Sequence, residues 1–388
     1  MLGARAARRR DGGLRHLALQ HGLLLQAAGR NRPGRRPDQA LHRSVPPAAA
    51  RVPRADRACQ SRRRRRRAAR IMNGMALGAA FFETQGLPAL RARHEEALPF
   101  LAAGLVGEGS ECFGMDDALS RDHDWGPGFC VWLTDEAYRA QGAQVARTLR
   151  SLRAGAGTTS KFTRMMGPND GRVGVFPVTG FYQRFIGFDH PPRTLREWWA
   201  VPDANLATAT NGCVFCDNPG EFSAWRDALR GGYPRDVKLK KLAYCCYLAL
   251  QAGPYNYPRM MRRQQRCAAL LAETTFITAA LRITYYLNDA YPPFYKWLEP
   301  LARSLPILGS AAARHADELA EPAANDAHRW PHAAGVMSAW CDELANVLCD
   351  SGLMATSNTS TDLYAIAVEL HRAIEADWLR AIPLAVPC

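Results

Sequence analysis

The first 71 residues contain no Phe, Trp or Tyr, no Lys and no Glu. A segment without aromatic anchors cannot bury enough apolar surface to offset its chain entropy, so a disordered tail is expected there rather than a packed core. Charge of one sign is also nearly missing. Twenty Arg, six of them consecutive at Arg62–Arg67, face only Asp11, Asp38 and Asp56, a net of +17. The whole 388-residue chain carries +14, so residues 72–388, with 30 basic and 33 acidic side chains, carry −3. The basic character of the protein is therefore that of its first fifth. Three explanations fit such a tail. A basic arm for nucleic acid would use the Arg run on phosphates but lacks aromatics for stacking. A transit peptide would share the Arg-rich, acid-poor composition, but this segment is long and poor in Ser. The expected explanation is an over-extended start, with the protein beginning at Met72 or Met75, because Arg, Ala, Gly and Pro all have GC-rich codons. A nucleic-acid partner is accordingly not expected.

Long hydrophobic runs are lacking too. No segment reaches the ~18 uninterrupted apolar residues of a membrane span, and Leu17–Leu25 is broken by Gln20, His21 and Gly22. No internal repeat is visible, and the cysteines show no framework. Ten of eleven lie after residue 72 at irregular spacing, several in apolar helical stretches where a reduced thiol acts as a small hydrophobe. Cys213-Val-Phe-Cys216 is a lone CxxC without a second pair, for which ordinary packing is expected over zinc or redox chemistry. The cytoplasm is the expected compartment, with no membrane partner.

The body holds two kinds of segment. From 77 to about 200, helical spacing over Leu77–Leu98 and Asp135–Leu152 alternates with short apolar runs at Leu101–Val106, Phe129–Leu133 and Val173–Val178 that read as strands. Beyond Arg235 the pattern is helical. Asp236–Leu250 places Val237, Leu239, Leu242, Cys245 and Leu248 opposite Lys238, Lys240 and Lys241, which read as a solvated face. Arg259–Leu287 reads as one long helix with Leu270, Leu271, Phe276, Ile277, Leu281 and Tyr285 as its core stripe. Further helices are expected at Phe294–Ser304, Ala333–Leu348 and Thr361–Leu379, the last capped around Ser360/Thr361/Asp362. The expected fold is α+β, a mixed-sheet domain over 72–232 followed by an all-α helical bundle over 233–388.

The sharpest motif is Gly109-Ser110 followed by Asp122-x-Asp124. On a strand, residues i and i+2 share a face, so the two aspartates would present paired carboxylates, the oxygen donors that Mg²⁺ prefers. A Gly-Ser turn between strand and helix offers backbone N–H groups and a hydroxyl to a phosphate. Together they suggest a nucleoside triphosphate held by the turn, with one or two Mg²⁺ ions bridging it to the carboxylates, in a site for in-line nucleotidyl transfer.

This motif resembles the signature of the DNA polymerase beta nucleotidyltransferase superfamily. The string Gly107–Leu133 is similar to a poorly characterised bacterial branch of it that adds a C-terminal helical domain, as the aminoglycoside nucleotidyltransferases do. Weaker similarity continues through Phe181–Phe185, Tyr233–Val237, Gln251–Tyr257 and Pro293–Trp297, over roughly residues 77–310. The resemblance implies a nucleotidyltransferase-type mixed sheet with Asp122 and Asp124 as catalytic metal ligands, and Gly109 and Ser110 as nucleotide contacts. It also implies an unknown hydroxyl acceptor, a small molecule or a protein, bound between the domains. By the same resemblance Tyr255–Tyr257 and Tyr291/Tyr295/Lys296 face the inter-domain cleft, where Lys296 would meet phosphate and a Tyr would stack on a base; ordinary inter-helix packing is the favoured expectation for both clusters. One departure bears on activity. The superfamily's third carboxylate, on the strand around Val173–Phe176, is replaced at Gly174, and Asp170 and Asp189 do not fit the pattern. Loss of that ligand or base leaves nucleotide binding without transfer as the alternative.

Among the remaining candidates, His123 would point away from the aspartates, toward packing. Asp116 and Asp117 are expected to cap or solvate a short helix after the Gly-Ser turn. Arg121 has either a phosphate or a surface role.

Overall fold

The computed structural model describes residues 73–121, 126–155, 173–321, 326–354 and 362–387. All of them belong to the unit Arg65–Cys388. The N-terminal tail, Asp122, His123, Asp124 and Asp170 lie outside the described residues.

Four strands form the sheet: β1 Leu101–Leu105, β2 Cys130–Leu133, β3 Val175–Pro177 and β4 Cys213–Asp217. Their order is β3-β2-β1-β4, with β1 antiparallel to β2 and β4 and β2 parallel to β3. The period-2 alternation of strand side chains explains why β1 and β2 are fully buried. Leu101, Ala103, Val131 and Leu133 join one apolar cluster, while Ala102, Cys130 and Trp132 join another on the opposite face. The first cluster is closed by α1 Gly74–Phe81, a π-helical turn Phe82–Gly86, α2 Leu87–Arg93 and α3 Asp135–Gly155. The helical pattern read over Leu77–Leu98 is thus one helical run through Arg93 with a π-helical turn in its middle, followed after His94 by a 3₁₀ helix at Glu95–Phe100. Gly86 lets the Phe129 ring approach to where a Cβ would stand, 2.4 Å from its Cζ.

The second cluster is much larger. On the sheet it takes in α4 Val178–Ile186, α5 Leu195–Ala200, α6 Asp203–Thr210 and α7 Glu221–Arg230. Trp132 stacks on Phe222 there with ring centroids 3.8 Å apart. The cluster then runs without a break into the bundle, so the predicted boundary at 232/233 marks the turn between α7 and α8 Arg235–Leu250 and not a gap in the core.

The bundle continues through a π-helical turn Gln251–Asn256, α9 Tyr257–Arg262, α10 Arg266–Leu287, α11 Tyr295–Ala302, α12 Gly309–Ala320, α13 Asp326–Asp350, α14 Leu363–Arg372 and α15 Asp377–Arg380. Asp362 caps α14 by accepting from the Tyr364 amide, as its position in the sequence suggests. Among the described helices, α10 is long and apolar enough to cross a membrane by length and composition. In this fold it packs against α8 and α13 with Phe276, Ile283 and Tyr286 buried.

Three sequence expectations change here. The Arg259–Leu287 helix is broken at Gln264, whose backbone is left-handed (φ 59°). Leu270 and Leu271 are exposed rather than part of the core stripe. Second, Lys240 and Lys241 are buried, not solvated. Because α8 is enclosed on all sides, Lys240 Nζ donates to the carbonyls of Ile382 (2.6 Å) and Pro383 (2.9 Å), fixing the C-terminal segment. Third, Cys213 and Cys216 lie on β4, a strand the sequence pattern does not announce. A β-bulge at Ala103/Gly104 accommodates the extra residue.

Candidate functional site

Strand register brings four chain segments to one end of the sheet. Gly104 at the exit of β1 pairs with Cys130 at the entry of β2, Leu105 pairs with Cys213 at the entry of β4, and Val131 pairs with Val175 at the entry of β3. The segment leaving β1 carries Gly107, Gly109 and Ser110. The segment entering β2 is the one that carries Asp122 and Asp124. Strand β2 starts at Cys130, and Gly126 ahead of it has a φ of 147°; Asp122 and Asp124, whose pairing the sequence suggests, lie outside the described residues. The segment entering β3 carries Gly174, whose carbonyl accepts from the Val131 amide at 2.8 Å. A Cβ at Gly174 would stand 3.2 Å from the Phe176 ring.

The turn after β1 needs glycine. Gly107 and Gly109 have φ of 118° and 127°, a region closed to ordinary side chains. Ser110–Phe113 then forms one 3₁₀ turn that ends on left-handed Gly114. Ser110 is half-buried, and its hydroxyl makes no hydrogen bond among the described residues. Asp117 behaves as expected, capping the turn Leu119–Arg121 by accepting from the Leu119 (2.8 Å) and Ser120 (3.0 Å) amides. Asp116 does not serve that turn; its Oδ2 accepts from the Gly74 amide at 2.6 Å, 42 residues back.

What holds the turn is the segment before β4. Asn211 Oδ1 accepts from the Gly107 amide (2.9 Å), and its Nδ2 donates to the Gly107 carbonyl (2.8 Å). The Gly212 amide donates to the Cys112 carbonyl at 2.9 Å. Beneath them the Arg226 guanidinium donates to the carbonyls of Thr210, Asn211 and Gly212. Arg226 comes from α7 and Asn211 follows α6, so both helices brace one loop.

The start of α6 is tied to the bundle. Buried Asp203 accepts from Tyr233 (2.5 Å) and Lys241 (2.9 Å) at Oδ1, and from Arg282 (2.5 Å) and Tyr286 (2.7 Å) at Oδ2. Burial alone would raise its pKa, but Lys241 and Arg282 outweigh burial and hold it at about 2. One carboxylate thus stands against two cations, and Lys241 also lies 4.8 Å from the Tyr233 ring centroid.

Toward the bundle, the Phe113 ring lies 4.5 Å from Trp297. Lys296 is exposed beside it, its ammonium 4.4 Å from the Trp297 ring centroid, so the fold brings Lys296 near the end of the Ser110–Phe113 turn. An open cavity of about 280 Å³ sits between the two sides, lined by Phe113, Asn211, Tyr285, Asp289, Tyr291 and other residues. Tyr295 is exposed outside the cavity lining, Tyr257 is buried, and Tyr255 faces solvent under Arg259. Asp189 is exposed beside His190. Among the described residues no group of three or more His, Cys, Asp or Glu side chains is arranged to hold a metal ion.

Sequence reasoning missed Asn211, Arg226, Asp203 and Arg184. A terminal nitrogen of Arg184 lies 3.9 Å from where a Cβ on Gly107 would sit. No curated protein and no solved structure matches the chain. A family model described as a domain of unknown function (DUF4037) matches residues 198–298, a span that includes Asp203, Asn211, Arg226, Lys241, Arg282 and Lys296 and excludes Gly107–Ser110, Asp122 and Asp124.

Proposed function

We propose that the protein is a nucleotidyltransferase-like protein that uses a Mg²⁺–NTP complex and moves a nucleoside monophosphate to a hydroxyl of a small molecule or protein. The observation that carries this reading is the convergence at one sheet end of the β1 exit, with Gly109 and Ser110, and the β2 entry, whose segment bears Asp122 and Asp124. A glycine turn together with a carboxylate-bearing segment would supply both halves of a triphosphate site: donors for the phosphates and oxygen ligands for Mg²⁺. Asp122 and Asp124 would hold the metal, which supplies charge neutralisation at the phosphates. Gly109, Ser110 and Lys296 would contact the nucleotide, and the adjoining cavity would take the acceptor. In the transfer the acceptor oxygen would bond to the α-phosphorus, the bond from that phosphorus to the bridging oxygen would break, pyrophosphate would leave, and the hydroxyl proton would pass to water.

Gly174 favours a second reading, nucleotide binding without transfer. It supplies no side chain at the sheet end where the superfamily carries a third carboxylate, and Phe176 crowds the space a Cβ would need.

Calorimetry with MgATP and MgGTP tests the common core of both readings. The wild type should bind in a Mg²⁺-dependent way, and Asp122→Asn/Asp124→Asn should lose that dependence; equal Mg²⁺-dependent affinity in both removes the site. Labelled NTP incubated with cell lysate separates the two. A labelled adduct that Ser110→Ala weakens supports transfer, whereas binding with no adduct and no pyrophosphate release supports the silent reading.

A further inference from the structure

We propose that Arg184 is the phosphate-binding cation of the Gly107–Ser110 turn, a role that rests on the nucleotide reading above and adds to it a residue outside the Gly-Ser and Asp-x-Asp motifs. Arg184 lies on α4, which packs directly under the turn. A Cβ on Gly107 would meet Phe185 Cζ at 3.5 Å, Phe181 Cζ at 3.8 Å and a terminal nitrogen of Arg184 at 3.9 Å. The guanidinium is held over three rings, with centroids at 4.7 Å (Phe185), 5.5 Å (Phe176) and 5.7 Å (Phe181). Stacking fixes the plane of the guanidinium while leaving its N–H edge unused. Among the described residues no carboxylate or carbonyl accepts from it, whereas Arg226, another guanidinium near this turn, spends its donors on three carbonyls. An exposed, oriented fork beside a glycine turn has the geometry for bidentate recognition of a phosphate group. The absence of a Cβ at Gly107 keeps the approach from the turn to the fork open.

The chemistry recognised is a polyphosphate, and the probe that isolates it is inorganic tripolyphosphate without Mg²⁺. Calorimetry on the full chain should show tripolyphosphate binding that weakens at least tenfold in Arg184→Gln and is partly restored in Arg184→Lys, which keeps the charge but not the fork. Circular dichroism melts establish that each variant is folded. Should Arg184→Gln unfold, Arg184→Lys decides alone: threefold or greater weakening supports the role, and parity overturns it. Equal tripolyphosphate affinity in wild type and Arg184→Gln overturns the role of Arg184 while leaving the Mg²⁺–NTP reading intact. Conversely, if Arg184→Gln weakens tripolyphosphate but Asp122→Asn/Asp124→Asn leaves MgATP affinity unchanged, the metal reading falls and the anion site stands. Absence of any tripolyphosphate binding by the wild type removes the Arg184 proposal.

Discussion

Asn211 and Gly107 exchange two hydrogen bonds across 104 positions of sequence, the side-chain amide of one reading the backbone of the other as a neighbouring strand would. The pairing fixes the first residue of the turn after β1 and does so from the loop that precedes β4. Asn211→Ala removes both partners and leaves the half-buried amide and carbonyl of Gly107 to find water, a cost of about 1–3 kcal/mol. Asn211→Asp restores the acceptor for the Gly107 amide but sets a carboxylate against the Gly107 carbonyl, so it should be no more stable than the alanine variant. Denaturant melts give the stability order. Hydrogen exchange should show the Gly107 amide losing protection in Asn211→Ala while the amides of α10 keep theirs; unchanged protection at Gly107 in that variant would mean that the pair does not hold the turn.

Gly212 and Gly114 share a left-handed backbone, φ 63° and 67°, in different surroundings. A Cβ on Gly212 would fall 2.0 Å from the Leu105 carbonyl oxygen, whereas one on Gly114 would meet nothing within 4 Å. Alanine at either position carries the left-handed penalty of about 1–2 kcal/mol. Gly212→Ala must in addition push the β4 entry away from β1, so its loss of stability should exceed that of Gly114→Ala by at least about 2 kcal/mol. Equal melting temperatures for the two variants would contradict the close approach of this loop to β1.

The sheet strands that lie inside the fold were legible because both faces are covered, and Leu101–Leu105 and Cys130–Leu133 therefore read as continuous apolar runs. Strand β4 was not. It is a half-exposed edge strand with a bulge, and Cys213-Val-Phe-Cys216 resembles a short metal or redox motif more than a strand. The amphipathic reading of α8 failed for a related reason: a helix with neighbours all round buries Lys240 and Lys241 against carbonyls and a carboxylate that lie far away in sequence. The glycines of the candidate turn were visible as a motif. Their braces were not, because Asn211, Arg226 and Arg184 acquire partners only through tertiary approach. Arg184 in particular sits within Phe181–Phe185, where a lone cation among aromatics looks like the outer face of an amphipathic helix.

Asp203 makes the link between bundle and turn sensitive to acid. Its carboxyl titrates at about 2 in the folded protein against an ordinary value of 3.8, burial opposing the shift and Lys241 and Arg282 producing it. A carboxyl with a depressed folded pKa stabilises the fold above its unfolded pKa and loses that contribution as pH falls through the folded value. The contribution is therefore complete above about pH 5 and disappears between about pH 4 and pH 2, amounting to roughly 2–3 kcal/mol. Asp203→Asn abolishes this titration and leaves Lys241 and Arg282 buried without their counter-charge, at a cost near neutral pH of about 3–5 kcal/mol. Urea unfolding of both proteins from pH 6 to pH 2 checks the sign. The stability gap between wild type and Asp203→Asn should be widest above pH 5 and should narrow as the wild-type carboxyl protonates, with other carboxylates cancelling because both proteins share them. A gap that stays constant down to pH 2 would show that Asp203 is not held ionised by its two cations, and the tie between α6 and the bundle would then rest on the tyrosine hydrogen bonds alone.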